Sequence, residues 1–295
     1  MEKLLIIVGP TASGKSALAV ELARKFDGEI ISADSRQVYK RLDIGTGKIT
    51  RREMRGVPHH LLDVASPKRK FSAADFVRLA RKEYSRVLEN KRVAILVGGT
   101  GYYIDALVGR VVLPDVSPDP KLRAQLEKKT VAQLYVLLKK RDPKRAKTMA
   151  TPSERNNKRR LIRALEIAAT LGKSPASRPN ERYDVLWIGI NPPLKTLEQK
   201  IKKRLRARTQ KGMVTEARRL RKGGLSYRRM EELGLEYRSL ARYLQKQITK
   251  QEMIDELNRD IRRYAKRQIV YWKRNPDIKW FAPSDKKAAE KIVQA

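Results

Sequence analysis

The eight residues Gly9-Pro10-Thr11-Ala12-Ser13-Gly14-Lys15-Ser16 constrain this chain more than any other segment. They form a complete G-x-x-x-x-G-K-[ST] phosphate loop, entered from the apolar run Leu4-Leu5-Ile6-Ile7-Val8 and left through a helical pattern over residues 17–26. Strand, loop and helix in that order are the setting in which such a loop works. Its glycines let the backbone aim N–H groups at an anion, and the N-terminus of the following helix adds positive partial charge. Lys15 supplies a mobile cation, and Ser16 can bind a metal ion that bridges phosphate oxygens. The bland alternative is a tight turn with an ordinary lysine. The loop predicts a phosphate site without naming the phosphate compound or the reaction.

Further apolar runs have the same form. Residues 29–33 end at Asp34, residues 93–97 end at Gly98-Gly99-Thr100-Gly101, and residues 185–190 end at Asn191-Pro192-Pro193. Helical patterns over 17–26 and 73–89 separate the first three runs. Short apolar strands alternating with helices predict an α/β fold with a parallel sheet covered on both faces. Ligands of such sheets sit beyond the carboxyl ends of the strands, so Gly9, Asp34 and Thr100 are expected to converge on one edge. From Val111 to Tyr183 the texture changes. Pro114, Pro118 and Pro120 open a stretch of basic helices, 121–129, 131–140 and 158–171, with Asn157 as a cap and Gly172 as a stop. Residues 174–179, Ser-Pro-Ala-Ser-Arg-Pro, read as a loop back to the sheet. The expected organisation is a core domain over 1–112, an all-helical insertion over 113–183, and the rest of the core with basic helices over 184–295.

Charge supplies the second strong constraint. Lysine and arginine number 68 against 32 acidic residues, a net charge of +36. Such an excess attracts polyanions, most often nucleic acid, although a solubilising surface is the competing account. The helical pattern over 251–274 sharpens the point. Ile254, Leu257, Ile261, Tyr264, Ala265, Gln268, Ile269 and Trp272 recur at helical spacing, while Arg259, Arg262, Arg263, Lys266 and Arg267 occupy the opposite face. That face reads either as solvated surface or as a surface that tracks phosphodiesters. Another cation-dense helix is expected over 194–211. A hydrophobic content of 41% supports a real core, and the absence of cysteine excludes disulfides and Cys-based zinc sites. No apolar run approaches the roughly 20 residues that span a bilayer. The short N-terminal run enters the phosphate loop directly and reads as a strand, not a signal peptide. A cytoplasmic protein without membrane contact is expected.

Three other segments carry candidate chemistry. Asp34 follows a strand and would face the phosphate loop, where a carboxylate can hold a metal, accept a proton from a nucleophile, or simply cap a helix. The Gly98–Tyr103 segment, Gly-Gly-Thr-Gly-Tyr-Tyr, allows backbone to approach a ligand and offers the Thr100 hydroxyl, or else is a structural turn. His59-His60, the only histidines, lack a third metal ligand nearby and are expected to be buried with satisfied hydrogen bonds.

Taken together the segments resemble the tRNA dimethylallyltransferases, also called tRNA isopentenyltransferases. The phosphate loop, Ile31-Ser32-Ala33-Asp34-Ser35-Arg36-Gln37-Val38-Tyr39, Pro58-His59-His60-Leu61-Leu62-Asp63, Phe71-Ser72-Ala73-Ala74-Asp75-Phe76 and the Gly98–Tyr103 segment match in order and spacing. Arg160-Leu161-Ile162-Arg163-Ala164-Leu165-Glu166 and Ala265-Lys266-Arg267-Gln268 extend the likeness through nearly the whole chain. The resemblance implies a nucleotide-kinase-like P-loop core with a helical insertion. It also implies transfer of a dimethylallyl group from dimethylallyl diphosphate to N6 of the adenosine immediately 3′ of the anticodon, in tRNAs reading codons that begin with U.

On that resemblance, Asp34 is the general base, and Gly9, Pro10, Thr11, Ala12, Ser13, Gly14, Lys15 and Ser16 hold diphosphate, with Mg2+ on Ser16 and Arg204 reaching the same phosphates. Thr100 is a catalytic residue that touches the target nucleotide and lines the channel between the two substrates. Asp34, Ser35, Arg36 and Gln37 contact an extruded base. Arg123, Arg159, Arg160, Leu161, Ile162 and Arg163 contact tRNA, as do Lys266 and Arg267. The partners implied are the anticodon stem-loop of tRNA and dimethylallyl diphosphate, acting on a monomer. The chain departs from the family pattern at Arg155-Asn156-Asn157, where Pro-Asn-Asp is usual, at Gly234-Leu235-Glu236, where Gly-Tyr-Lys/Arg is usual, and at Ile261-Arg262, where Thr-Arg is usual. The second departure loses an aromatic ring and reverses a charge. The competing enzyme is a small-molecule or nucleotide kinase with ATP on the loop, and a third class is an RNA-binding protein without catalysis.

Overall fold

The computed structural model of the chain describes residues 2–149, 151–173 and 182–294; the loop expected at 174–179 lies outside them. Contacts divide the chain into two compact units, Met1–Val108 with Asn180–Ala295, and Gly109–Pro179.

The first unit is built on one parallel sheet. Its strands are β1 (Glu2–Val8), β2 (Gly28–Ala33), β3 (His59–His60), β4 (Val93–Gly98), β5 (Tyr183–Ile190) and β6 (Lys279–Phe281), in the order β3-β2-β4-β1-β5-β6. Four are the runs read from sequence. The edge strands β3 and β6 are two and three residues long, too short for any periodicity to show. Register fixes the functional edge. Val8 of β1 and Ala33 of β2 both pair with Gly98 of β4, so three strands end level and release their following loops at one place.

The interior strands are buried on both sides, as parallel sheets require. On one face Leu5, Ile7, Ile30, Ile95 and Ile188 pack against Leu18, Ala19 and Leu22 of the helix Lys15–Lys25. The helix Ala73–Glu89 packs on β2 and β4 and begins at a capping box of Ser72 and Asp75. A second core gathers Val38, Tyr39 and Leu42 with the helices Leu194–Gln210, Met213–Lys222, Tyr227–Leu233, Leu235–Leu244 and Lys250–Trp272. Within it, the carboxylate of buried Glu216 accepts the backbone N–H groups of Asp43, Ile44 and Gly45 at 3.0, 2.7 and 2.9 Å, and the Tyr237 hydroxyl at 2.7 Å. One side chain thereby shapes the whole 43–45 turn, and burial beside that carboxylate drives the Tyr237 hydroxyl well above its usual pKa.

The unit Gly109–Pro179 is helical. Leu126, Leu134, Leu138, Leu161 and Leu165 form its core. Asn157 accepts from Arg160 N at 3.2 Å, so asparagine does cap the helix Lys158–Leu171. Buried Glu166 accepts from Arg123 Nε at 2.7 Å and Nη2 at 2.8 Å, and from Asp119 N at 3.0 Å. Burial opposes its charge, but those bonds outweigh burial and hold its carboxyl below the ordinary value. Arg163 lies 3.5 Å from the same carboxylate and donates to Val116 O at 2.8 Å.

These contacts revise part of the expected RNA surface. Leu161 and Ile162 are 0% and 4% exposed, so their side chains build the core of the unit and cannot reach RNA. They occupy the apolar face of the very helix whose opposite face carries the exposed Arg159 and Arg160.

Replacing Glu216 by alanine is expected to destabilise the protein by about 3 kcal/mol, because it leaves buried N–H donors without an acceptor. Urea unfolding of the two proteins measures the difference, and a loss below about 0.5 kcal/mol would show that water satisfies the turn.

Candidate active site

The phosphate loop leaves β1 in a conformation that only certain residues allow. Gly9 has φ +152°, and a Cβ there would come within 2.5 Å of the Ile190 carbonyl oxygen. Gly14 has φ +101° and precedes the first residue of the helix, Lys15. Ala12, at φ +63°, adopts the left-handed region between them. The result is a turn closed by Ser13 N on Pro10 O at 3.2 Å, with Ser13 buried beneath it. Lys15 curls back over the turn and donates from Nζ to Pro10 O at 3.2 Å.

The loop forms one wall of a cavity of about 340 Å³. Thr11, Lys15 and Ser16 line it from the loop, Asp34, Ser35, Arg36 and Gln37 from the end of β2, and Arg204 from the helix Leu194–Gln210. Leu235, Glu236, Ile261 and Tyr264 face it from the helical layer. The expected convergence of Gly9, Asp34 and Thr100 on one sheet edge is therefore realised, with separate tasks. Asp34 Oδ1 accepts from Arg36 N at 2.8 Å and Gln37 N at 3.2 Å, which holds the turn after β2. Oδ2 has no donor among the described residues. The turn is thus held by one oxygen of the carboxylate alone. Thr100 is not among the cavity-lining residues. Its Oγ1 accepts from Ser35 N at 3.0 Å, so it supports a residue that does line the cavity.

Electrostatics follow from this packing. Lys15 is half-buried, and desolvation pushes its ammonium pKa down to about 8. The Asp34 carboxylate partly restores it and Arg204 opposes. Burial raises the Tyr264 hydroxyl, with the Asp34 charge adding to the effect, so it stays protonated. The segment 234–236 is bent sharply, with Gly234 at φ +73° and Leu235 at φ +35°. It places Glu236 2.9 Å from Arg208, which also donates to Gly45 O at 2.5 Å. The reversed charge is thus used to pin an arginine at the cavity wall.

The histidines are hydrogen-bonded as expected but only half-buried. His60 bridges Glu29 at 2.6 Å and Glu83 at 3.1 Å, and His59 Nδ1 donates to Val57 O at 2.8 Å, with burial lowering its pKa. His59 nonetheless reaches the cavity wall. Of the remaining expected residues, Arg123, Arg159, Arg160 and Arg163 belong to the helical unit, while Lys266 and Arg267 are exposed on the helix Lys250–Trp272. Gln268 and Tyr264 are site residues that the sequence did not single out. The signal for both was a polar group recurring on the apolar stripe of that helix, where a buried amide or hydroxyl needs a partner.

A Gly-Lys-Ser loop and a carboxylate that line one cavity, at the carboxyl edge of a parallel sheet, are the architecture of an α/β group-transfer enzyme. The sequence profile of the family described as IPP transferase matches residues 37–275. The tRNA dimethylallyltransferase of Carboxydothermus hydrogenoformans is 42% identical over 99% of this chain and 96% of its own length. That of Halalkalibacterium halodurans is 38% identical over 99% and 95%. The crystal structure of the full-length tRNA isopentenylpyrophosphate transferase of Bacillus halodurans superposes with a TM-score of 0.74, at 38% identity, covering 100% of this chain and 95% of that one. A eukaryotic dimethylallyltransferase acting on tRNA reaches 0.84 at 25% identity, covering 100% and 77%. The chain belongs to the tRNA dimethylallyltransferase (IPP transferase) family.

Binding of a diphosphate beside Lys15 favours the charged lysine. Between pH 7 and pH 9.5 the free site loses its proton as pH passes about 8, so affinity for a diphosphate analogue should fall and binding should take up a proton. Calorimetry in buffers of different ionisation enthalpy reads that uptake. Affinity that is flat across the range would mean Lys15 stays charged throughout.

Proposed function

We propose that the chain transfers a dimethylallyl group from dimethylallyl diphosphate to N6 of the adenosine 3′ of the anticodon of tRNA, leaving isopentenyladenosine and diphosphate. The single observation that carries this reading is that Lys15 and Asp34, on the loops after β1 and β2 that flank β4, line one cavity. The reaction forms an N6–C bond and breaks the allylic C–O bond. The electron pair of the broken bond departs with diphosphate, and the N6 proton must be taken up. An exocyclic adenine amine is a poor nucleophile because its lone pair is delocalised into the ring. Asp34 Oδ2 accepts the proton as the bond forms, while Oδ1 keeps the turn in place. Loop N–H groups, Lys15 and Arg204 hold the diphosphate and offset the charge it gains. Arg36 and Gln37, on the same turn, contact the extruded adenosine, since the base cannot react while stacked.

The donor set suits Mg2+. No group of three or more His, Cys, Asp or Glu able to cage a metal occurs among the described residues, and Mg2+ is ordinarily held by one or two protein oxygens plus phosphates and water. Ser16 Oγ, exposed at the cavity, would be the protein ligand. When bound, the ion would add charge stabilisation to the leaving diphosphate. Among the described residues no helix is long and apolar enough to cross a membrane. The acceptor tRNA would be held by the exposed Lys266 and Arg267 and, from the helical unit, by Arg159 and Arg160. Arg123 and Arg163 act there chiefly through Glu166, keeping that helix in place.

Incubation with an unmodified anticodon stem-loop, dimethylallyl diphosphate and Mg2+ should yield isopentenyladenosine on nucleoside mass analysis. A phosphorylated product from ATP, with no prenyl transfer, would favour the kinase reading instead. Asp34→Asn should lower kcat by about 10²–10⁴ with RNA affinity nearly unchanged, as expected for loss of a general base. A variant with the parent's rate would remove Asp34 from that role. Arg159→Ala should weaken RNA binding and reduce the slope of log affinity against log salt by about 1. An unchanged slope would take Arg159 out of the interface.

A further inference from the structure

Gln268 is 5% exposed and stands on the apolar face of the helix Lys250–Trp272. Its amide is used at both ends. Oε1 accepts from Thr11 N at 2.8 Å, and Nε2 donates to Gly99 O at 2.9 Å. The orientation of the amide is set by its partners, because a backbone N–H can only donate and a carbonyl can only accept. Thr11 belongs to the phosphate loop. Gly99 immediately precedes Thr100, whose hydroxyl receives Ser35 N, and Ser35 follows Asp34. The bonds therefore run from the diphosphate-holding loop, through one side chain, to the segment that holds the base.

The fit is close. A Cβ on Gly99 would collide with Gln268 Nε2, so the loop after β4 comes as near to the amide as a backbone can. Glutamine is the residue type that matches this task. It is neutral and offers one donor and one acceptor on a single planar group. Asparagine has the same group on a stem one methylene shorter.

Building on the prenyl-transfer reading above, we propose that Gln268 is a positioning residue that sets the span between the phosphate loop and the Asp34 turn. It does its work through Thr11 N and Gly99 O, from the wall of the cavity that both loops line. Reactions between two held groups are sensitive to such a span, since a misplacement of about 1 Å can cost 100-fold in rate.

The test uses the full chain with dimethylallyl diphosphate and an anticodon stem-loop. Gln268→Leu, which removes both bonds, and Gln268→Asn, which keeps the chemistry but not the reach, should each lower kcat by about 100-fold. Affinity for the stem-loop should stay near the parent's. Gln268→Glu separates positioning from bulk. As a carboxylate it accepts from Thr11 N but faces Gly99 O with a second acceptor. Once protonated it regains a donor. The ratio of its rate to the parent's should therefore rise as pH falls from 8 to 6, which loss of packing alone would not produce. In the parent, the Thr11 amide should be protected against hydrogen exchange.

A ratio that stays flat with pH, a kcat within about twofold of the parent in the Leu or Asn variant, or an unprotected Thr11 amide would each overturn the proposal. The exchange measurement needs no variant, so it decides even if every substitution misfolds. Absence of isopentenyladenosine from the parent would instead defeat the prenyl-transfer reading.

Discussion

The level ending of three parallel strands is the constraint on which this site rests. Because Val8 and Ala33 both register with Gly98, the loops after β1, β2 and β4 emerge side by side. The sheet consumes the backbone donors and acceptors of the strands themselves, so the first free N–H groups appear just past their ends. There the phosphate loop turns and the helix Lys15–Lys25 begins, adding its own unsatisfied N–H groups. A carboxylate would ordinarily repel a bound phosphate at close range. Here the carboxylate and the loop follow β2 and β1, which flank β4, and both line one cavity.

The helix Lys250–Trp272 converts that edge into a defined geometry. Met253, Leu257, Ile261, Ala265 and Trp272 bury its inner face. At two places on that face the burial is polar, at Tyr264 and at Gln268, whose amide meets Thr11 N and Gly99 O. A buried polar group with its partners satisfied specifies position more sharply than apolar packing, because a shift of an ångström strands a donor. Glu216 does the same for the 43–45 turn, and the Glu236–Arg208 pair for the opposite wall. The outward face of the long helix carries Lys266 and Arg267, so one element serves both the interior of the site and its charged exterior.

The major strands, the long helices and the Asn157 cap were legible in the chain, since each depends on residues within one or two turns of one another. The short strands β3 and β6 escaped because nothing in two or three residues marks them as strands. They are strands only by hydrogen-bonding to β2 and β5. Leu161 and Ile162 were misplaced because a motif lists consecutive residues, whereas a helix sends neighbours to different faces. Thr100 was visible as a hydroxyl in a glycine-rich turn, but which group it would bond was not. Glu216 and Gln268 were hidden more completely, since their partners lie 171 to 173 and 257 or 169 residues away in the chain.

By itself the sequence determined that this chain has a phosphate loop after a buried strand, a parallel α/β core, a basic exterior suited to a polyanion, and Asp34 at a strand end. Those follow from local chemistry, namely the backbone freedom of particular glycines, the periodicity of apolar side chains and the count of charges. Only the tertiary structure decided that one oxygen of Asp34 holds a turn while the other is left for the cavity. It alone decided that Thr100 supports the lining instead of forming it, that Arg123 and Arg163 turn inward to Glu166, and that a glutamine ties loop to loop. Each of those outcomes depends on which buried donor meets which acceptor, and that is settled only when distant segments are packed against one another.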